Sequence, residues 1–71
     1  MTVREDVLRE LSTGPKPYTH IVRKCARANL PDGHVDRVLD DMVRAREIVV
    51  REWVVERGKF QPVYESRRRS P

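Results

Sequence analysis

One cysteine, three glycines, one tryptophan and one phenylalanine are spread over 71 residues. The lone Cys25 excludes a disulfide framework, so packing alone must hold the fold, as expected in a reducing compartment. With no second cysteine and only His20 and His34, no zinc set of ordinary spacing can be assembled. No apolar run approaches the roughly 20 residues of a membrane-spanning helix. The opening Met1-Thr2-Val3-Arg4 carries no signal-peptide pattern. Phosphate-cradling glycine loops, paired-carboxylate sites and catalytic triad orders are missing too. A core this small must be filled by its own side chains, which leaves no room for a substrate pocket or a second domain. These absences lead us to expect neither an enzyme nor a cofactor nor a metal site.

What is present is charge and periodicity. Fifteen Lys and Arg against eleven Asp and Glu give a net +4, which favours an acidic partner, nucleic acid first. Thr2-Val3-Arg4-Glu5 reads as a capping box, and Val3, Val7, Leu8 and Leu11 follow at helical spacing until Gly14-Pro15 stops the helix. After the connector Pro15-Lys16-Pro17, Thr19 predicts the cap of a second helix lined by Ile21, Val22, Cys25, Ala26 and Ala28. Asn29-Leu30-Pro31-Asp32-Gly33 is a turn, Asp32 a cap, and Val35, Val38, Leu39, Met42 and Val43 recur at i, i+3, i+4, i+7 and i+8 in a third helix. From Ile48 the period becomes two. Ile48 to Glu56 and Phe60 to Glu65 read as strands around the turn Arg57-Gly58-Lys59, and Pro62 predicts an edge position. Apolar side chains fall on both faces of the first strand, so either both faces are covered or a bulge intervenes. Trp53 is expected to pair with Tyr64 across the hairpin or, if exposed, to anchor a dimer or a protein partner.

The order helix, helix, short turn, helix and hairpin resembles the winged helix-turn-helix family of small phage and bacterial DNA-binding proteins. Leu30-Pro31-Asp32-Gly33-His34-Val35, Val38-Leu39, Met42-Val43 and Ile48 carry the resemblance to its turn and third helix. Trp53, Gly58 and Pro62-Val63-Tyr64 are similar to its wing. Near Arg46 the family usually has glycine, so the lead into the wing is expected to differ. The resemblance implies an α+β winged helix of three helices and a two-stranded β-hairpin wing over residues 1–66; residues 67–71, with no apolar side chain, are expected to form a flexible basic tail. It further implies that the third helix enters the major groove while the second helix and wing meet backbone.

Charge by segment refines that picture. Residues 19–30 hold Arg23, Lys24 and Arg27 with no acid, whereas residues 31–47 set Arg37, Arg44 and Arg46 against Asp32, Asp36, Asp40, Asp41 and Glu47. At 100° per residue His20, Arg23, Lys24 and Arg27 share one face of the second helix. Those four, with Arg57, Lys59 and Arg67-Arg68-Arg69, are the candidate phosphate contacts, and His34, Arg37 and Arg44 the candidates near base edges. The bland alternative for the third helix is a solvated face with Asp40–Arg44 and Arg37–Asp41 pairs. Cys25 lies on an apolar stripe and reads as packing, not as a nucleophile or ligand. The expected function is a small stand-alone transcriptional regulator on double-stranded DNA, cytoplasmic or nucleoid-associated, with a homodimer left open and no membrane association. The alternative is a protein-interaction module on the same scaffold, such as a modulator of RNA polymerase or another DNA-associated complex.

Overall fold

Helix α1 (Val3–Leu11) begins where its capping residues place it. In the computed structural model, which describes residues 2–27 and 29–67, the Thr2 hydroxyl accepts from the Glu5 N–H at 3.2 Å. The Glu5 carboxylate accepts in return from the Thr2 N–H at 3.4 Å. Val3, Val7 and Leu11, four residues apart, form its buried stripe.

The connector Lys16–Pro17 is itself a strand, β1, rather than a bare link. Proline fixes its own φ and pushes the preceding residue toward extended backbone, so Lys16-Pro17 is shaped for pairing. Helix α2 (Tyr18–Cys25) starts directly after it, with Pro17 as an N-cap that has no side-chain bond to offer. Thr19, expected as the cap, therefore lies inside the first turn and donates its hydroxyl to Glu56 at 3.3 Å. Ile21 and Cys25 are buried. The helix stops sooner than its apolar stripe suggested, because Ala26 turns extended (ψ 140°); Ala28 lies outside the described residues.

Helix α3 (His34–Arg44) buries Val35, Leu39 and Met42. Asp32 does not cap it. Gly33 does, in a left-handed conformation (φ +78°) that glycine adopts freely and with no side-chain bond to offer. Val43, expected in the stripe, is exposed. Arg46 then adopts φ +61°, the left-handed geometry glycine takes freely, so the turn into the hairpin is made without one.

Strands β2 (Ile48–Glu56) and β3 (Lys59–Ser66) join through Arg57-Gly58, both at positive φ (+53° and +77°), as a two-residue type I′ turn requires. The expected two-stranded hairpin is in fact two-thirds of a three-stranded antiparallel sheet in the order β1-β3-β2. Lys16 pairs with Tyr64 and Pro17 with Val63, so β3 is central and not an edge. Pro62 is tolerated because it lies just past the end of β1, opposite Trp53. Counting outward from the turn, that pair is a non-hydrogen-bonded one, where no ladder donor toward β2 is needed.

A bulge between Val50 and Glu52 resolves the two-faced pattern of β2. The extra residue, Arg51, shifts the alternation by one, so Ile48, Val50, Trp53 and Val55 share a face with Phe60, Pro62 and Tyr64. At the base of the hairpin, Ile48 and Tyr64 close the core against the three helical stripes. Trp53 is opposite Pro62 and Tyr64 opposite Val50, so Trp53 and Tyr64, expected to pair, share a face as diagonal neighbours and are not directly opposed.

Candidate nucleic-acid interface

The second-helix face, basic in sequence, is divided by its neighbours. His20 Nε2 lies 2.9 Å from Glu10 of α1, both side chains being three-quarters covered. Arg27, just past α2, donates to Asp6, which a second cation, Arg9 of α1 itself, approaches at 3.9 Å. The acids of α1 thus engage two of the four cations expected to face phosphate. Arg23 and Lys24 remain exposed on α2. Arg23 borders a hollow of about 210 Å³ whose other walls are Thr19, Glu56, Arg57 and Gln61, so a cation of α2 and one of the hairpin turn meet across 34 residues of chain. Arg57 and Lys59 are exposed at the hairpin tip. Arg67 is exposed at the far end of β3, its N–H donating to the Glu47 carbonyl at 3.0 Å; Arg68 and Arg69 lie outside the described residues.

The third helix presents another balance. Arg37, Asp40, Asp41 and Arg44 are exposed, and His34 is half-buried at its start. Among the described residues the ion pairs within 4 Å are Arg4–Glu47, Arg9–Asp6, His20–Glu10, Arg27–Asp6 and Arg51–Glu65, and neither i, i+4 pair of this helix closes. Asp36 instead accepts from the Tyr18 hydroxyl of α2. That bond, together with burial, pushes the Tyr18 phenol up to about 12. Burial first, and then the Asp40 and Asp36 carboxylates, raise the Tyr64 phenol as well.

These four residues belong to one groove of about 450 Å³ between the start of α3 and the hairpin, completed by Lys59, Phe60, Gln61 and Pro62. Sequence reasoning missed it. The signal was the bulge: only once Arg51 is discounted do Ile48 and Val50 fall on the face of Trp53 and Val55, which pair with Pro62 and Phe60 beyond Tyr64. Beyond the reach of the helices this face is bare, with Trp53 62%, Val55 62% and Phe60 74% exposed.

Cys25 is buried and unpaired by any disulfide. Among the described residues no group of three or more His, Cys, Asp or Glu side chains could hold a metal ion. No helix of the described residues is long and apolar enough to cross a membrane. Comparison of the chain with models of protein families, with curated proteins and with solved structures returned no match, so the reading of its surfaces rests on their own geometry.

Proposed function

We propose that this chain binds double-stranded DNA as a small transcriptional regulator of winged helix-turn-helix type, with phosphates held by α2 and the hairpin tip. The observation that carries the reading is the convergence of Arg23 with Arg57 around one hollow, with Lys24 and Lys59, close to them in the chain, also exposed. Cations far apart in sequence and adjacent in space form a basic footprint of the kind that tracks a nucleic-acid backbone. His20 and Arg27 are secondary in this reading, because each must leave an α1 carboxylate before it can meet phosphate. His34, Arg37 and Arg44 are the groups of α3 that reach base edges, while Asp36, Asp40 and Asp41 limit how much phosphate that helix tolerates.

The test is duplex binding followed by fluorescence anisotropy over a salt series. Four phosphate contacts predict a log–log salt slope of about −3.6, and reversing Arg23 and Lys24 to Glu should cut it to about half. Unchanged affinity and slope in that double variant would remove α2 from the footprint and with it this reading.

A second reading, a protein-interaction module serving RNA polymerase or another DNA-associated complex, is favoured by the open carboxylates of Asp40 and Asp41. The double change Asp40→Lys and Asp41→Lys separates the two. It should strengthen DNA binding if DNA approaches α3, and abolish stoichiometric binding to the partner if a protein does.

A further inference from the structure

We infer that the apolar face of the β2–β3 hairpin, with the acid-lined groove beside it, is the contact surface for a second copy of this chain. The inference stands without the DNA reading and is tested in its absence.

The face is built, not incidental. The bulge at Arg51 brings Ile48 and Val50 of the core end onto the face of Trp53 and Val55, which pair directly with Pro62 and Phe60. The result is an uncharged strip that continues the core outward past the last helix. The two exposed rings, at 62% and 74% of their full surface, present on the order of 300 Å². Monomeric proteins seldom expose contiguous apolar patches beyond a few hundred Å². Counted on two copies, the rings alone supply about half of the ~1,200 Å² at which specific interfaces begin, before Val55, Pro62 and the groove walls are added.

Charge selects the occupant. Asp36 and Asp40 line the groove and would repel a phosphate backbone brought against the rings. The complement to those carboxylates is on the chain itself, in Lys59 on the groove wall and Arg57 beside it at the hairpin tip. Two-fold contacts are self-complementary, each residue meeting its counterpart's partner. An axis along the groove stacks the two apolar strips and sets Lys59 of each copy against Asp40 of the other.

The experiment is sedimentation equilibrium of the full chain without nucleic acid, up to about 1 mM. A monomer–dimer equilibrium is expected. Trp53→Ser and Phe60→Ser should each lower the association constant on the order of 30-fold, the effect of removing a central aromatic anchor. Both side chains are exposed, so far-UV circular dichroism should be unchanged. Asp40→Lys alone and Lys59→Glu alone should each be monomeric, and mixing the two should restore a dimer, because only the mixed pair has opposite charges at both contacts. A wild-type chain that stays monomeric to about 1 mM overturns the inference. So does a dimer indifferent to the serine variants and to mixing. Quenching of Trp53 by a single-stranded oligonucleotide, at monomer mass, would instead mark the strip as a base-stacking platform.

Discussion

Alkaline pH should weaken this fold through Cys25. The thiol is 1% exposed in the core. Burial first, and then the carboxylates of Asp6 and Glu10, push it from near 9 up to about 11. An acid whose folded pKa exceeds its unfolded one is held neutral by the fold. The stability linked to it is therefore present in full below about pH 9 and is lost as pH rises through about 11. Two pH units at 1.36 kcal/mol each make that loss about 2–3 kcal/mol. A chain of this length has only on the order of 4–11 kcal/mol in total, so the effect is a large share.

Urea unfolding followed by circular dichroism from pH 7 to pH 11, for wild type and Cys25→Ala, isolates it. Tyr18 and Tyr64 are raised as well and weaken the fold in the same direction, but their loss is common to both proteins. The advantage of wild type over Cys25→Ala should shrink by about 2–3 kcal/mol across that range. Parallel curves would refute the burial of the thiol as its cause. Alkylation gives a second readout. At pH 8 a shift of two units lowers the thiolate fraction about 100-fold, so the native thiol should react at least that much more slowly than the unfolded one.

Three further perturbations test the local physics. Thr2→Ala removes the acceptor of the capping box and should cost about 1 kcal/mol, read as a fall in Tm of about 4–8 °C. Arg57→Asn places the residue best suited to φ +53° at the first position of the type I′ turn and should raise Tm by a few degrees, whereas Gly58→Ala should lower stability by about 1 kcal/mol. Leu39→Ala empties a site that is 1% exposed. It should cost about 2–5 kcal/mol, and a loss under about 1 kcal/mol would mean that α3 is not packed as described.

The helices were legible because their information is local. Thr2 and Glu5, or Val35, Leu39 and Met42, interact within one element, where spacing alone decides the geometry. The turn at Arg57-Gly58 was legible for the same reason. Strand β1 was not, since two residues carry no period; only the prolines at 15 and 17 hinted at extended backbone, and the partner that makes them a strand lies nearly 50 residues on, at Val63 and Tyr64. The bulge was half legible, as a conflict between two apolar faces without its position. Least legible was the electrostatics. A helical wheel places His20 and Arg27 on a basic face, but Asp6 and Glu10 come from another helix, and only tertiary packing brings them there.

That packing separates the surfaces of the molecule in a way that bears on both proposals. Because α1 engages His20 and Arg27, the cations of α2 left exposed are Arg23 and Lys24, and Arg23 lies toward the edge where Thr19 meets Glu56. Because Arg51 bulges, Ile48 and Val50 share the face of Trp53 and Val55, so one apolar strip runs outward from the core on the side opposite Glu56, beside Asp36 and Asp40. Phosphate contact through Arg23 and self-association through Trp53 thus use different sides of the same hairpin, and Lys59 at its tip is common to both. Reversing Arg23 and Lys24 should cut the salt dependence of duplex binding to about half and leave the monomer–dimer equilibrium unchanged. Trp53→Ser should do the converse at the level of a single half-site, lowering affinity only for a duplex that carries two such sites in reach of one dimer. A Trp53 variant that loses single-site affinity as strongly as the charge reversal would show that the two surfaces are one.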